Sequence, residues 1–266
     1  MGLALDIPFE LIVDDADPGD GFLRAEQGHP AALAYVSAGG TAETLWWRSP
    51  IPPGRGLGFS GAAVVAGAFA ASGDADEAFR VGAAIETHPD NAAPSAYGGC
   101  CVVAGGRTVR VPMPISMELA LWWPDATTST RRARATLPST VPFSDAVHNV
   151  GHVALLIAAL ATGDLEAVAT AIDDRLHTDA RLALSPASSD VLTWLNGHPE
   201  VVAGWLSGSG PTVAAFIRPA GEATSNLDSV VDGLARFGGT ARMCRIADRG
   251  VHVVGSSGGD SRARFL

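Results

Sequence analysis

One stretch, Pro52 to Ala71, constrains the fold most, because a glycine-rich turn runs directly into a long run of small apolar residues. The turn contains four glycines, Gly54, Gly56, Gly58 and Gly61. Glycine adopts backbone conformations that a Cβ would obstruct and lets a ligand approach the main chain closely. The first N–H groups of a helix lack intrahelical partners, and the helix dipole adds partial positive charge there. The junction predicts a phosphate site, although the same turn would also suit tight packing without a ligand.

This turn differs from the two best-known nucleotide-binding signatures. It lacks the Gly-Lys-Ser/Thr of a Walker A loop, and its glycines do not follow the GxGxxG spacing of dinucleotide-binding folds. The sequence contains no lysine, so all 18 basic residues are arginines. Schiff-base chemistry and phosphate binding by lysine are therefore excluded. Cationic contacts to a carboxylate or phosphate must come from arginine, whose planar fork suits bidentate binding, or from protonated histidine.

The composition is typical of a globular protein. The 266 residues suffice for one large domain or two closely packed halves, and the net charge of -10 opposes binding to nucleic acid. Apolar runs are broken by Gly, Asp or His before the roughly 18 residues that span a bilayer, and the N-terminus resembles no signal peptide. We therefore expect a cytoplasmic protein without a nucleic-acid or membrane partner. The cysteines, three in number, are expected to be reduced, buried thiols.

Hydrophobic periodicity predicts an α+β fold in both halves of the chain. Strands are predicted at Leu3–Val13, Ala32–Val36, Thr44–Trp47, Cys100–Val103, Thr108–Val111, Leu119–Trp123, Val201–Leu206, Val213–Ile217, Ala241–Ile246 and Val251–Val254. Helices are predicted at 61–72, 75–87, Ser144–Leu160, Leu165–Leu176, Ser188–Asn196 and Leu227–Phe237. The tail from Gly255 onward is expected to be loose.

Three further clusters carry groups that suit a polar substrate and a hard metal ion. The first runs from Glu86 to Asn91, where a carboxylate could hold magnesium and His, Asp and Asn could orient hydroxyl and amine groups. Taken alone, this segment is also typical of a capped helix end with turn residues. The second is the pair Arg134 and Arg181, which could equally be solvated surface charges. The third, Leu206 to Thr212, suits close backbone approach or a plain turn.

Together these clusters resemble the GHMP kinases, and most closely their homoserine kinase branch. Five segments match the family's motifs in order: Pro52 to Ala62, Glu86 to Gly99, Ala133 to Pro138, Asp174 to Arg181 and Ser207 to Thr212. The family patterns are Pro-x-x-x-Gly-Leu-Gly-Ser-Ser-Ala, Glu-x-His-Pro-Asp-Asn-x-x-Pro-x-x-x-Gly-Gly, Ala-Arg-x-x-Leu-Pro, Asp-x-Leu-His-x-x-x-Arg and Ser-Gly-x-Gly-Pro-Thr. The match covers nearly the whole chain.

The resemblance implies a two-lobed fold, with an N-terminal half like ribosomal protein S5 over residues 1–140 and a ferredoxin-like half over 141–266. It implies transfer of the γ-phosphate of MgATP to the hydroxyl of L-homoserine, in threonine biosynthesis, by a homodimer. Two alternatives stay open: the acceptor is another small hydroxy compound, or the protein is a catalytically impaired paralogue that only binds ligand. Phosphoryl transfer requires mainly positioning and charge neutralisation, which a helix N-terminus, magnesium and arginine can provide without lysine.

The resemblance also assigns the site residues. ATP would be bound by Pro52, Gly54, Arg55, Gly56, Leu57, Gly58, Phe59, Ser60, Gly61 and Ala62, and magnesium by Ser60 and Glu86. The substrate would be bound by His88, Asp90, Asn91, Arg134, Arg181, Ser207 and Gly208, with Glu86, Asp90 and Arg134 as catalytic residues. Either Asp90 or His88 could receive the hydroxyl proton. Trp46 and Trp47 could contact adenine or belong to the core.

The chain departs from the family pattern in two places. Phe59 occupies the position of the first of two serines, and Gly61 that of an alanine, which could reshape the pocket. The family's opening motif, Pro-x-x-x-Ala-Asn-Leu-Gly-x-Gly-Phe-Asp, is not found before Gly2 to Asp6, the segment that follows it in relatives. We therefore expect the true start to lie upstream of Met1, in which case that motif would complete the substrate site.

Overall fold

The computed structural model describes residues 1–41, 44–86, 88–126, 130–219, 228–254 and 264–265. The strands are β1 (Gly2–Leu3), β2 (Glu10–Val13), β3 (Leu23–Arg24), β4 (Leu45–Arg48), β5 (Cys100–Ala104), β6 (Arg107–Val111), β7 (Glu118–Trp123), β8 (Val201–Leu206), β9 (Val213–Ile217), β10 (Thr240–Arg245), β11 (Val253–Val254) and β12 (Arg264–Phe265). The helices are α1 (Pro30–Ser37), α2 (Phe59–Ser72), α3 (Ala75–Glu86), α4 (Pro89–Tyr97), α5 (Thr130–Ala135), α6 (Phe143–Thr162), α7 (Leu165–Ala171), α8 (Thr178–Leu182), α9 (Pro186–Asn196) and α10 (Asp228–Ala235). The predicted α+β class is confirmed.

The chain divides into two compact units that are not contiguous in sequence. Unit 1 consists of Met1–Pro53, Gly58–Arg110 and Ile246–Leu266, and unit 2 consists of Gly54–Leu57 and Val111–Arg245. The division into 1–140 and 141–266, which the resemblance implied for the two family halves, follows different boundaries and stays a prediction.

Unit 1 combines two antiparallel sheets with the helices α1 to α4. In the described residues, one sheet has the order β11-β12-β2-β4-β3 and the other the order β1-β5-β6. Helix α2 packs against α1, α3 and α4, and most of its residues are buried. Its small side chains allow this close packing: a Cβ on Gly67 would lie within 2.0 Å of the backbone oxygen of Ala31 in α1. The Ala- and Gly-rich run of the sequence is therefore the central helix of unit 1.

Unit 2 is built on an antiparallel sheet of order β10-β7-β9-β8, with α9 and α10 packed against it. Its core contains fully buried side chains from both layers, including Trp122, Leu195, Ile217 and Leu234. The two central strands, β7 and β9, bury nearly every residue, because apolar side chains fill both of their faces, whereas the edge strand β10 is mostly half-buried or exposed.

Some predicted elements have a different structure. Residues 32–36, predicted as a strand, belong to helix α1, which starts with Pro30 at its first position and is capped by His29, whose Nδ1 accepts the Ala31 N–H at 3.2 Å. The polar turn predicted after Glu86 is helix α4, again with a proline, Pro89, at its start. The helix predicted to reach Leu176 ends at Ala171.

Two further findings concern apolar character and the tail. Helix α6 is 20 residues long and, by length and composition alone, apolar enough to cross a membrane. Asp145, His148 and His152 interrupt it, as expected, but its average hydropathy over the window remains high. Within the tail expected to be loose, β12 pairs with β2, so Phe265 lies opposite Leu11. Residues 255–263 and 266 lie outside the described part.

Candidate active site

The first turn of α2 carries the predicted phosphate-binding residues of unit 1. Gly58 caps the helix in the left-handed conformation, with φ 74°, and its oxygen accepts the Ala62 N–H at 2.9 Å. The first turn itself contains no acidic residue. The N–H groups of a helix start and its dipole favour an anion. This part of the chain therefore fits a phosphate group.

The two predicted magnesium ligands meet at this helix start. Ser60 Oγ donates a short hydrogen bond to Oε1 of Glu86, the last residue of α3. Both side chains are partly buried, and both offer oxygen atoms, which are the ligands that magnesium prefers. The pair therefore fits a magnesium ion in its chemistry, and it joins the start of α2 to the end of α3.

The predicted substrate residues of unit 1 lie at the start of α4, next to α2. His88 is the residue before the helix, and Asp90 lies in its first turn with its side chain 44% exposed. Asn91 contacts α2 closely, since a Cβ on Gly61 would come within 3.0 Å of the Asn91 backbone oxygen. The structure thus brings Ser60, Gly61, Glu86 and Asn91 together, and an alanine at position 61 would need Asn91 to shift by a few tenths of an ångström.

The side chain of Phe59, the main departure from the family motif, packs into a cluster of four aromatic rings. Its ring makes edge contacts with Phe9, His29 and Trp47, with ring centroids 5.5, 6.0 and 5.3 Å away. Phe9 and Trp47 are stacked with an interplanar angle of 3°. His29 Nε2 is buried and has no hydrogen-bond partner among the described residues, and burial lowers the pKa of this histidine. The half-buried ring of Phe59 therefore packs against other aromatic rings of unit 1.

Sequence reasoning missed this cluster. His29 and Phe9 are far from Phe59 in sequence, and only the aromatic character of Trp47 gave a signal. Trp47 is half-buried and packs against the other three rings, and whether it contacts adenine stays a prediction. Trp46 donates its Nε1–H to the backbone oxygen of Asp14 at 3.0 Å.

The short segment Gly54–Leu57 belongs to unit 2 and is held by the segment Ser207–Thr212. Ser207 Oγ donates to the Gly56 oxygen at 2.8 Å, and the Thr212 N–H donates to the Arg55 oxygen at 3.2 Å. Gly56 has φ 78°, and a Cβ there would lie 2.4 Å from the Ser207 oxygen. The guanidinium of Arg55 donates to the backbone oxygens of Pro124 and Asp125. The arginine side chain thus anchors the segment to unit 2.

The two predicted substrate arginines also belong to unit 2. Arg181, on α8, donates from Nη1 to the Gly208 oxygen at 2.8 Å, while its Nε is buried and has no hydrogen-bond partner in the part of the chain that the structure describes. Burial lowers the pKa of Arg181, the carboxylate of Asp174 raises it, and the positive charge of Arg134 lowers it further. The charges of Arg134 and Arg181 interact, and the Nε–H of Arg181 is an unused hydrogen-bond donor among the described residues. Such a pair of arginines is suited to binding an anionic group.

Asp174 supports the start of α8, a role that sequence reasoning did not assign to it, although it begins one of the matched motifs. Its Oδ2 accepts the backbone N–H groups of residues 176 to 178, at 3.2, 2.8 and 2.7 Å, and Oδ1 accepts from Asn149 Nδ2 at 2.6 Å. Burial alone would raise the pKa of Asp174, but the hydrogen bonds from His177, Thr178 and Asn149 outweigh it and lower the pKa to about 2. Asp174 therefore fixes the start of α8, the helix that carries Arg181.

Comparison with known proteins agrees with the resemblance drawn from the motifs. The sequence profile of the GHMP kinases N terminal domain matches residues 30–99, and that of the GHMP kinases C terminal matches residues 156–231. A homoserine kinase of Solibacter usitatus is 38% identical over 218 residues, which are 76% of this chain and 70% of that protein. A homoserine kinase of Thermus thermophilus is 37% identical over 245 residues, or 84% of this chain and 82% of that protein.

A solved structure supports the same fold. The crystal structure of homoserine kinase from Cytophaga hutchinsonii matches with a TM-score of 0.78, covering 93% of this chain and 89% of that chain, at 22% identity. With relatives at this level of identity over most of their length, the chain belongs to the GHMP kinase family of phosphotransferases. Within that family it falls in the homoserine kinase branch, as the five motifs implied.

Proposed function

We propose that this protein transfers the γ-phosphate of MgATP to the hydroxyl group of L-homoserine, a step in threonine biosynthesis. The observation that carries the proposal is the 37% identity to the Thermus thermophilus homoserine kinase over 84% of this chain. The arrangement of Ser60 and Glu86 adds independent support. It places two oxygen atoms that could coordinate magnesium at a helix start suited to phosphate.

In this proposal, backbone groups of the motif bind the nucleotide phosphates. The residues assigned to ATP are Pro52, Gly54, Arg55, Gly56, Leu57, Gly58, Phe59, Ser60, Gly61 and Ala62. Phe59 contributes its backbone N–H, since its ring packs in the aromatic cluster. Ser60 and Glu86 hold magnesium, which neutralises phosphate charge when bound.

Charged and polar side chains position the acceptor. His88, Asp90 and Asn91 border the amino alcohol, and Asp90 or His88 receives the proton of the attacking hydroxyl. Arg134 and Arg181 bind its carboxylate or the transferring phosphoryl group, for which the buried Nε of Arg181 offers a donor. Ser207 and Gly208 fix the segment that Arg181 contacts. The proposed catalysis rests on positioning and charge neutralisation.

ADP release by the purified chain with magnesium, ATP and L-homoserine tests the proposal directly. L-serine and L-threonine serve as control acceptors, and an assay without acceptor measures background ATP hydrolysis. Magnesium-dependent turnover that is fastest with L-homoserine supports the proposal. Faster turnover with another hydroxy compound would replace the substrate, and a chain that binds ATP without turnover on any acceptor would be a binding paralogue.

We also propose that the protein is a cytoplasmic homodimer. On α6, Phe143 is 84% exposed, Val150 is 72% exposed and Val147 is 55% exposed, so a second copy of the chain could remove apolar area from water. Light scattering of the native chain and of Val150→Arg tests this assembly. A dimer that becomes a monomer in the variant supports it, whereas a monomeric native protein contradicts it.

A further inference from the structure

Unit 2 contains a group of metal-ligating side chains that the proposed kinase chemistry does not use. His148 and His152 lie one helical turn apart on α6, and Asp173 follows α7. One ligand atom from each residue lies within 4.8 Å of the other two, and it is the one group of this kind among the described residues. Two imidazoles at a spacing of four and a carboxylate are a common donor set for a divalent transition metal.

The tautomer of His152 leaves one ring nitrogen available for coordination. Its Nδ1 lies 2.9 Å from the backbone oxygen of His148. A carbonyl oxygen only accepts hydrogen bonds, so Nδ1 carries the proton and, in the neutral ring, Nε2 carries a lone pair. Metal-ligating histidines are usually oriented in this way, by donating their other N–H to a carbonyl or carboxylate.

His148 is placed against the carboxylate without making a hydrogen bond to it. Its Nε2 is buried and lies 2.9 Å from Asp173 Oδ2, but the carboxylate oxygen does not lie along the N–H direction. The imidazole rings of His148 and His152 are stacked, with centroids 3.6 Å apart. His148 thus contacts both other members of the group.

From these contacts we propose that His148, His152 and Asp173 form a binding site for a divalent transition-metal ion of the zinc class, with water completing the coordination. Tetrahedral zinc with 2.0–2.1 Å bonds requires ligand separations of roughly 3.3 Å. The three ligand atoms lie within 4.8 Å of one another, and His148 Nε2 lies 2.9 Å from Asp173 Oδ2, so side-chain rotations would have to adjust these separations when the ion binds. Nitrogen ligands favour zinc, cobalt or nickel over magnesium, which prefers oxygen. The site is therefore chemically distinct from the Ser60 and Glu86 pair, and it does not rest on the proposed function.

Arg175 is the charged group that opposes the metal. Its Nε lies 3.9 Å from Asp173 Oδ2, and its Nη1 lies 3.9 Å from Asp145 Oδ1. Its guanidinium is half exposed, so the side chain can swing into solvent when a cation arrives. Removing this positive charge should strengthen metal binding.

The site would link α6 to the segment that precedes α8. Asp173 is followed directly by Asp174, whose carboxylate bonds the backbone at the start of α8. Because α8 carries Arg181, a metal bound at Asp173 would stiffen the support of that arginine. The expected result of metal binding is higher thermal stability of the chain.

A zinc titration against a coloured chelator, with tag-free protein stripped of metal, tests the proposal. We expect one zinc ion per chain, no competition from excess magnesium, and visible cobalt absorption typical of a tetrahedral site. His152→Gln and Asp173→Asn should each weaken zinc binding by 10-fold or more, on the order of other ligand losses. Asp190→Asn, the same chemical change at an exposed position of α9, should leave it unchanged, and Arg175→Gln should strengthen it.

These variants avoid His148, whose side chain is 14% exposed and whose replacement could prevent folding. Circular dichroism confirms that each variant is folded, and thermal melts with and without zinc give a second readout. A zinc-induced rise in melting temperature in the native chain that both ligand variants lose supports the site. Native protein that binds no zinc, or binding that survives both ligand substitutions, would overturn the proposal.

Discussion

The hydroxyl group of Ser60 donates a hydrogen bond to the carboxylate of Glu86, which joins the first turn of α2 to the last residue of α3. The two residues are 26 positions apart in sequence, so the contact depends on the packing of α2 against α3. It places a hydroxyl and a carboxylate oxygen side by side where the helix N–H groups attract phosphate.

Removing the Glu86 carboxylate should therefore damage magnesium use. Glu86→Gln is expected to lower kcat/KM by about 100-fold or more, because a charge-neutralising group for phosphoryl transfer is lost. Its apparent magnesium affinity should fall by about 10- to 100-fold, and Ser60→Ala should show a smaller loss. Titration of activity with magnesium measures both effects. Glu26→Gln, on the exposed surface of unit 1, is the matched control, and equal losses in the two glutamate variants would contradict the assignment.

A methyl group added to Gly56 should lower the stability of the protein far more than one added to Gly54. Both glycines have positive φ, 78° and 70°, so either change to alanine introduces backbone strain of about 1–2 kcal/mol. At Gly56 the new Cβ also meets the Ser207 oxygen at 2.4 Å, whereas at Gly54 no atom of the described residues lies within 4 Å beyond the adjoining residues. We expect Gly56→Ala to lower the free energy of unfolding by about 1–3 kcal/mol more than Gly54→Ala. Urea unfolding of the two variants measures the difference, and equal stabilities would disprove the close contact.

Arg181 should be needed for acceptor binding because its buried Nε is available to an anion. Arg181→Lys keeps the charge but loses the planar fork, so we expect the KM for the amino acid to rise about 10-fold or more, with a smaller change in the KM for ATP. Steady-state kinetics with each substrate varied in turn separates the two. Arg107→Lys, on an exposed strand of unit 1, controls for the loss of a guanidinium. An unchanged KM for the acceptor would remove Arg181 from the proposed site.

Asp174 should stabilise the protein at neutral pH and lose this effect in acid. Its folded-state pKa of about 2 lies below the unfolded value near 3.9, so the folded state favours the ionised carboxylate. The stabilisation is complete above about pH 5 and disappears as the pH falls through 4 towards 2. The pKa difference corresponds to about 2.5 kcal/mol, which solvent screening reduces to about 1–2 kcal/mol.

The measurement is the free energy of unfolding of native protein and Asp174→Asn between pH 2.5 and 7. The native chain should be about 1–2 kcal/mol more stable at pH 7, and the two should converge at the acidic end. A constant difference across this range would show that the carboxylate charge is not responsible.

Restoring the family residue at position 59 should destabilise this chain. In Phe59→Ser, the contacts with Phe9, His29 and Trp47 are lost and a cavity remains, so the free energy of unfolding should fall by about 3 kcal/mol. Leu23→Ser, at a side chain that is 57% exposed, should change it by less than about 1 kcal/mol. Thermal and urea unfolding provide the comparison. A serine variant as stable as the native chain would indicate that the ring cluster contributes little.

Local sequence signals predicted much of the fold. The strands from 201 to 217 and the helix starting near Ser144 have long apolar patterns with clear ends, and the structure confirms them. Helix α1 was missed because its cap, His29, is an unusual capping residue and its apolar residues suit a strand equally well. Helix α4 was missed because a Pro-Asp-Asn segment also favours a turn.

The candidate site, like the fold, could be predicted from the sequence only in part. The glycine turn and the Glu86 to Asn91 cluster can be recognised from residue types, but their roles came from the family resemblance. The hydrogen bond from Arg181 to Gly208 and the approach of Asp173 to His148 join residues that lie 27 and 25 positions apart. Such contacts depend on how helices pack, which neither propensity nor periodicity determines.

The two units alternate along the sequence, which limits how the gene can recombine. The backbone passes from one unit to the other after Pro53, Leu57, Arg110 and Arg245, so neither unit corresponds to one continuous stretch of the gene. A single recombination breakpoint, such as one at residue 140, would divide unit 2 and leave both products incomplete. We therefore expect members of this lineage to diverge by substitution and loop variation, with functional chimaeras arising only from parents whose cores are already compatible.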